Sequence, residues 1–550
     1  MSKHKDRSVA HTALVLSAAL SFPAFGQATT NPEAAKAVPV AAKYTGPVNE
    51  GWWNDAVFYQ VFVRSFADSS KDNGKLANDG VGDIRGLIER LDYINTGKPG
   101  TTTDLKATGI WLMPITKSPS YHGYDTTDYY TIEPSYGTNE DFKELLAECH
   151  KRGIKVIIDL VINHCSDDHP WFKRSIDPKS EYHDWFIWSK EDPKWRGPWN
   201  QQVWHKKKSE FYYGLFSHRM PDFNYRNLAV TAEINKMIGW WLDEMKVDGF
   251  RLDAIRHLIE EGQVQENTES THAWLRGFYK FYKEKHPQAW TVGEVWAPTA
   301  ISSSFSGDQM DSCFEFELAD TILKSIVAGD ATKLAKVAQI SWEAFPRNQA
   351  STFLTNHDQG RVMNQLGKDE GKCKLAASIL LTMPGIPFVY YGEELGMTGD
   401  KPDELIRTPM QWDASAHGGF SSHKPWQPLN EDFKLRNVEA QGKDPESLLS
   451  LYRKLIRLRN DHVAFRRGDF TVIDAGNPAV FAFVRSQGAE RFVVIANLSD
   501  KPVEKYSLGL RGEVLAGLDG QKDLLHGAEL WESQSPVKLE PLGCYVIKLK

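Results

Sequence analysis

Eight short apolar runs, most of them separated by amphipathic helical patterns, occupy the middle of the chain and leave few folds open. They fall at 56–63, 109–115, 156–162, 249–253, 290–295, 313–317, 351–355 and 387–391. The third is nearly continuous and rich in Val and Ile, as a strand buried on both faces requires. Helical stripes lie between the runs. Phe142, Leu145, Leu146 and Cys149 share one face, Thr138 with Asp141 starts that helix as a capping box, and Gly153 stops it. Val230, Ile234, Met237, Ile238, Trp241, Leu242 and Met245 form another stripe. Strand–helix repeats with right-handed crossovers build a parallel sheet, and eight strands can close into a barrel. The expected class is therefore α/β. With 550 residues the core needs no metal or disulfide staple.

Two stretches break the alternation. Residues 165–225 are rich in Trp, His, Lys and Pro, too long for an ordinary βα loop, and read as a small insertion after the third strand. After the helical stretch ending near 460, short strands are expected at 470–473, 480–484, 491–495, 504–508 and 544–549, an antiparallel sandwich over 463–550. The barrel then comprises 48–164 and 226–462. At the start, Lys3, Lys5 and Arg7 precede a small, apolar stretch that ends in Ala24-Phe25-Gly26. Residues 1–26 read as a secretory signal peptide and 27–47 as a linker, so export to the periplasm or medium is expected.

The formal charge of -7 offers no electrostatic footprint for nucleic acid. No run is long and apolar enough for a membrane span, and a monomer is expected. The five cysteines are odd in number and lack C-x-x-C spacing, which points to buried thiols rather than a zinc or redox site. Dinucleotide, P-loop, H-E-x-x-H and G-x-S-x-G motifs are missing.

Polar residues instead gather where the buried runs end. Asp159 and Asn163-His164 close the third, Arg251 and Asp253 the fourth, Glu294 the fifth, and Asn356-His357-Asp358 the seventh. In a barrel these ends converge on one site. Positions i and i+2 of a strand share a face, so Arg251 and Asp253 point together, and the guanidinium is expected to keep Asp253 ionised. Glu294, between Gly293 and Val295-Trp296, lacks such a cation in sequence, and an apolar setting raises a carboxyl pKa. Two carboxyls with opposed tendencies are the apparatus of glycoside hydrolysis.

The segments Asp159-Leu-Val-Ile-Asn-His164, Gly249-Phe-Arg-Leu-Asp-Ala-Ile-Arg-His257, Gly293-Glu-Val-Trp296 and Thr355-Asn-His-Asp358 resemble the four signature regions of the α-amylase family, glycoside hydrolase family 13. The resemblance implies a (β/α)8 TIM barrel, an inserted domain B after strand 3 and a C-terminal β-sandwich. It implies Asp253 as nucleophile, Glu294 as acid/base and Asp358 as transition-state stabiliser. Arg251, His164 and His357 would complete the −1 site, with Tyr124 as its aromatic platform. The segment Met220-Pro-Asp-Phe-Asn224, with 401–404 and 406–412, resembles an intermediary group between oligo-1,6-glucosidases and neopullulanases, which includes secreted bacterial α-amylases. Arg256-His257 resembles the α-1,4 amylases, whereas Asp125 with Arg407 matches a pair that closes the pocket of exo-acting α-glucosidases.

The expected substrate is thus an α-glucan or maltooligosaccharide, cut by an α-amylase. An α-glucosidase or glucosyl-transferring enzyme is the alternative; a non-catalytic glycan-binding relative would usually have lost one of the three carboxylates. Asp79-Gly-Val-Gly-Asp83 resembles the end of the family's calcium loop, implying Ca²⁺ held by Asp68, Asp79, Asp83 and the Val81 carbonyl, with Asp72 or Asn73 as further donors. A second family site would use Asn163 and the carbonyl of His257. Six tryptophans (171, 185, 188, 195, 199 and 204) crowd the insertion; packing is expected of most, sugar stacking of some.

Overall fold

Strand alternation sorts the barrel's side chains into an inner stack and an outer shell. The strands are β1 (Phe58–Val61), β2 (Gly109–Leu112), β3 (Lys155–Leu160), β4 (Gly249–Leu252), β5 (Trp290–Gly293), β6 (Ser312–Phe314), β7 (Ala350–Thr352) and β8 (Ile386–Tyr390). Each pairs in parallel with its neighbours in chain order, and β8 pairs with β1 to close the ring. This computed structural model describes residues 41–71, 76–510, 518, 521–527, 531–532, 535–536 and 538–549. The leader, most of the linker, Asp72 and Asn73 lie outside them.

Phe58, Trp111, Ile157, Trp290, Val292, Phe314, Ile386 and Phe388 fill the barrel, and Trp53 joins the same cluster. Phe58 stacks on Phe388 at 4.6 Å and on Trp290 at 5.0 Å. The intervening residues, such as Tyr59, Ile110, Ile158 and Phe250, belong to the outer core packed under the helices. Gly249 opens β4 because a Cβ there would meet the carbonyl oxygen of Trp290 at 2.0 Å. The helix Asn139–Lys151 starts with the expected Thr138–Asp141 capping box, and Gly153 follows it at φ +74°.

The strands are shorter than their apolar runs. Ile115, Ile162 and Val295 are fully buried yet lie beyond the hydrogen-bonded ladders. Val63 already starts a helix, and Glu317 sits in the helix Phe316–Ala328. The insertion carries a three-stranded sheet (Trp188–Ser189, Trp204–Lys207, Glu210–Tyr213) with its own cluster of Val203, Trp204, Tyr213 and Leu215. Its end folds back on β3's exit: His164 bridges Asp222, and Phe223 N–H donates to the Asn163 carbonyl at 3.0 Å.

After the barrel, β9 (Asp469–Ile473), β10 (Val480–Gln487), β11 (Glu490–Asn497) and β12 (Cys544–Lys548) form an antiparallel sheet in that order. Phe481, Phe483, Phe492 and Val494 face the main core; Ala482, Val493, Ile495 and Ile547 face the other way. That outer face is covered by Val503, Tyr506, Leu508, Leu518 and Leu539. The strand expected at 504–508 does not form: Val503 makes one isolated bridge to Leu539, and Ser507 N–H donates to the Ala475 carbonyl just beyond β9 at 2.9 Å. The five cysteines are buried and unpaired, and no described helix is long and apolar enough to cross a membrane.

Candidate active site

The inner stack turns polar at the strands' C-terminal ends. Two residues beyond inward Ile157 lies Asp159; Arg251 is its register partner on β4, and Asp253 follows two residues on. Gln60 gives β1 the same polar top. Apolar side chains close the barrel below this layer, so its charges must satisfy one another.

Arg251 is the hub. It is 1% exposed and lies over the Trp111 ring at 5.4 Å. Its Nη1 donates to both oxygens of Asp159 (2.8 and 3.0 Å) and to Asp253 Oδ1 (2.6 Å), and its Nη2 stands 2.9 Å from Glu294 Oε2. Ala254, in the left-handed region at φ +51°, turns its N–H to Glu294 Oε2 at 3.0 Å. Both contacts on Glu294 thus fall on one oxygen. Burial pushes the Glu294 carboxyl up to about 8, and the Asp253 and Asp358 charges add to this; Arg251 and the Ala254 N–H oppose it. The expected rise is present, but Glu294 does have a cation beside it, supplied by the neighbouring strand β4 rather than along its own strand. Burial raises Asp159 as well.

Across the site, Asp358 accepts from Arg407 Nη2 at 3.0 Å, and its other oxygen stands 3.1 Å from His357 Nε2. Gln60 Nε2 donates to His357 Nδ1 at 2.8 Å, which places the ring proton on Nε2. That nitrogen lies 2.6 Å from the Tyr124 hydroxyl, which donates to Asp159 at 2.9 Å. The Tyr124 ring stacks on His357 at 5.5 Å and lines the pocket. His164 Nε2 lies 3.1 Å from the Tyr124 carbonyl, and His257 Nδ1 lies 2.9 Å from the Gln265 carbonyl. Burial holds His164, His257 and His357 below the usual histidine range, His257 at about 3, so they can donate hydrogen bonds without adding charge.

Asp253, Glu294, Asp358, Tyr124, His164, His257 and Arg407 line one pocket of about 520 Å³; Arg251 and His357 support it from beneath. Asp125 does not join them. It is 3% exposed and bound by the hydroxyls of Ser118 (2.8 Å) and Ser120, so the expected Asp125–Arg407 pair does not form. Arg407 instead bonds Asp358 and Asp403 and lies 5.9 Å from the Tyr121 ring. Tyr121, Phe216 and Glu266 carry no sequence signal, since no periodicity or partner nearby in sequence marks them, whereas Trp199 is one of the six insertion tryptophans and Asp403 falls in the 401–404 segment.

The proposed calcium ligands do not form a metal-ligating group among the described residues. Their lone pairs meet donors. Asp68 accepts from Asn78 N (3.0 Å), Gly80 N (2.8 Å) and Ser421 Oγ (2.5 Å), and Asp83 accepts from Ser69 N (3.0 Å) and caps a helix through Gly86 N (2.6 Å). Asp79 accepts from Val81 N at 2.8 Å, a bond internal to the turn. Asp72 and Asn73 of the same loop lie outside the described residues. Asn163 donates to Asp222 at 3.0 Å, which identifies the insertion carboxylate beside it.

A family model described as alpha amylase, catalytic domain, matches residues 60–468. Alpha-amylase 3 of Dictyoglomus thermophilum is 37% identical over 512 residues, covering 92% of this chain and 95% of that protein. An oligo-1,6-glucosidase of Parageobacillus thermoglucosidasius is 34% identical over 82% of this chain and 91% of its own. Among solved structures, the alpha-amylase from H. orenii superposes with a TM-score of 0.78 at 37% identity, covering 90% of this chain and 99% of that one.

Proposed function

The chain belongs to the α-amylase family of glycoside hydrolases, and from that premise we propose that it hydrolyses α-1,4-glucosidic bonds of starch and maltodextrins as a retaining α-amylase. The observation that carries this reading is the Arg251 bridge between Asp253 and Glu294. A pair held on the two terminal nitrogens of one guanidinium fits the short carboxyl separation, roughly 5–5.5 Å, of retaining glycosidases. Asp253 attacks the anomeric carbon while protonated Glu294 gives its proton to the leaving oxygen. The glycosyl-enzyme ester then forms, and Glu294, now a base, takes a proton from the water that displaces Asp253. Asp358, oriented by Arg407 and His357, grips sugar hydroxyls opposite.

A second reading, an exo-acting α-glucosidase or glucosyl-transferring enzyme, draws on the oligo-1,6-glucosidase relatives and on Arg407 with Asp403 at one end of the pocket. Because Asp125 is withdrawn from that end, we favour an open groove. Chromatography of early products from maltoheptaose and soluble starch tests the choice. Mixed maltooligosaccharides with a rapid fall in starch viscosity support the amylase; glucose as the sole early product supports the α-glucosidase. Export, suggested by residues 1–26, belongs to the same proposal.

A further inference from the structure

Arg407 reaches the pocket just after a one-turn helix, Asp403–Ile406, where no strand ladder fixes its backbone. Ile406, Arg407 and Thr408 are buried, and buried carbonyls need donors. Side chains from three parts of the barrel supply them. Arg361 Nε and the Tyr390 hydroxyl donate to the Ile406 carbonyl at 3.0 and 3.1 Å. The Ser65 hydroxyl donates to the Arg407 carbonyl at 2.5 Å, and the Tyr391 hydroxyl to that of Thr408 at 2.7 Å. Three consecutive carbonyls are thus gripped, which sets the direction in which the Arg407 side chain leaves the chain.

Arg361 is the centre of this cradle. It lies three residues after Asp358 and is buried. Its backbone N–H donates to the Gly399 carbonyl at 2.9 Å and its Nη1 to the Tyr391 carbonyl at 2.8 Å. Its guanidinium lies over the Tyr390 and Tyr391 rings at 4.5 and 5.0 Å. These bonds go to neutral carbonyls, and Nη2 finds no partner in the protein. Burying a guanidinium is unfavourable, but its planar fork does what a neutral side chain cannot: it bonds carbonyls 391 and 406 at once. The segment that carries Asp358 is thereby locked to the segment that carries Arg407. At the far end of the same relay, Arg407 bonds Asp358 and the His357 carbonyl.

Resting on the glucan reading above, we propose that Arg361, with Tyr391 beside it, is a positioning residue for the reaction: it fixes the backbone that aims Arg407 at Asp358, and so holds Asp358 where the transition state needs it. Neither side chain lines the pocket, so each acts through Arg407. The test is a double-mutant cycle on maltoheptaose hydrolysis. Arg361→Lys keeps the charge and loses the fork; it should lower kcat about tenfold with KM changed less than about twofold, because Asp358 works in the transition state. Tyr391→Phe removes one hydroxyl and should lower kcat about threefold. In an Arg407→Lys background each change should lower kcat by less than about twofold more, because the aim it protects is already lost. A residue that only holds the fold together would lower kcat by the same factor in both backgrounds. Equal factors in the two backgrounds, or wild-type kcat in the single variants, would overturn the proposal. If Arg361→Lys does not fold, the Tyr391→Phe cycle decides by the same criterion. A wild-type enzyme that leaves maltoheptaose intact would overturn the glucan reading itself, and this proposal with it.

Discussion

Arg251 Nη2 stands 2.9 Å from Glu294 Oε2, yet the Glu294 carboxyl keeps its proton up to about pH 8. The cation does not win because burial outweighs it and because Asp159 and Asp253 share the same guanidinium. Arg251 therefore joins the carboxyls without fully ionising the acid. The general acid must be protonated to work, so kcat/KM should fall tenfold per pH unit above about 8. The stability consequence has the same cause. A raised carboxyl pKa contributes stability below the unfolded value of 4.5, and the contribution is lost as pH rises through about 8. Glu294→Gln mimics the protonated acid, so its melting temperature should gain on the wild type from about pH 4.5 to 8 and level off above. A difference that does not vary with pH would refute the linkage.

The two carboxyls should fail in different ways. Asp253→Asn should lower kcat on starch and on α-maltotriosyl fluoride alike, by about a thousandfold or more, since no ester can form. Glu294→Gln should lose starch hydrolysis to a similar extent. It should still release a rapid burst of fluoride, whose departure needs no proton. A burst from Asp253→Asn and none from Glu294→Gln would reverse the roles.

The rearranged Arg407 contacts make a third prediction. Arg407→Lys cannot bond Asp358, Asp403 and the His357 carbonyl together, and should lower kcat/KM about 10–100-fold. Asp125→Asn should leave the product pattern of maltoheptaose unchanged. It weakens two serine contacts in a buried site and should cost about 1–3 kcal/mol of stability, read by denaturant melting. A switch in product pattern in Asp125→Asn would return that residue to the pocket.

The barrel was legible because its strands are buried on both faces, which writes each one as an apolar run. Their ends were not, because Ile115, Ile162 and Val295 stay buried after the ladder stops and carry the same signal onward. Asp159, Arg251 and Asp253 were legible because two-residue spacing fixes a shared face. Asp125 misled because its neighbour Tyr124 does enter the pocket, whereas Asp125 turns to the hydroxyls of Ser118 and Ser120. Asp403 and Trp199 lie in segments that the sequence marks, but only the closed fold brings 403 to 358 and 199 to 257. The segment 504–508 has a strand's composition, but it covers a sheet face without joining the ladder.

The central claim is double displacement through Asp253 with Glu294 as acid/base, and the configuration of the first product tests it most directly. Proton NMR of maltoheptaose digestion, followed from the first minutes and faster than mutarotation, should show the α-anomer of the newly formed reducing end appearing first and the β-anomer only as equilibrium is approached. The β-anomer appearing first would mean single displacement by water, which contradicts the mechanism.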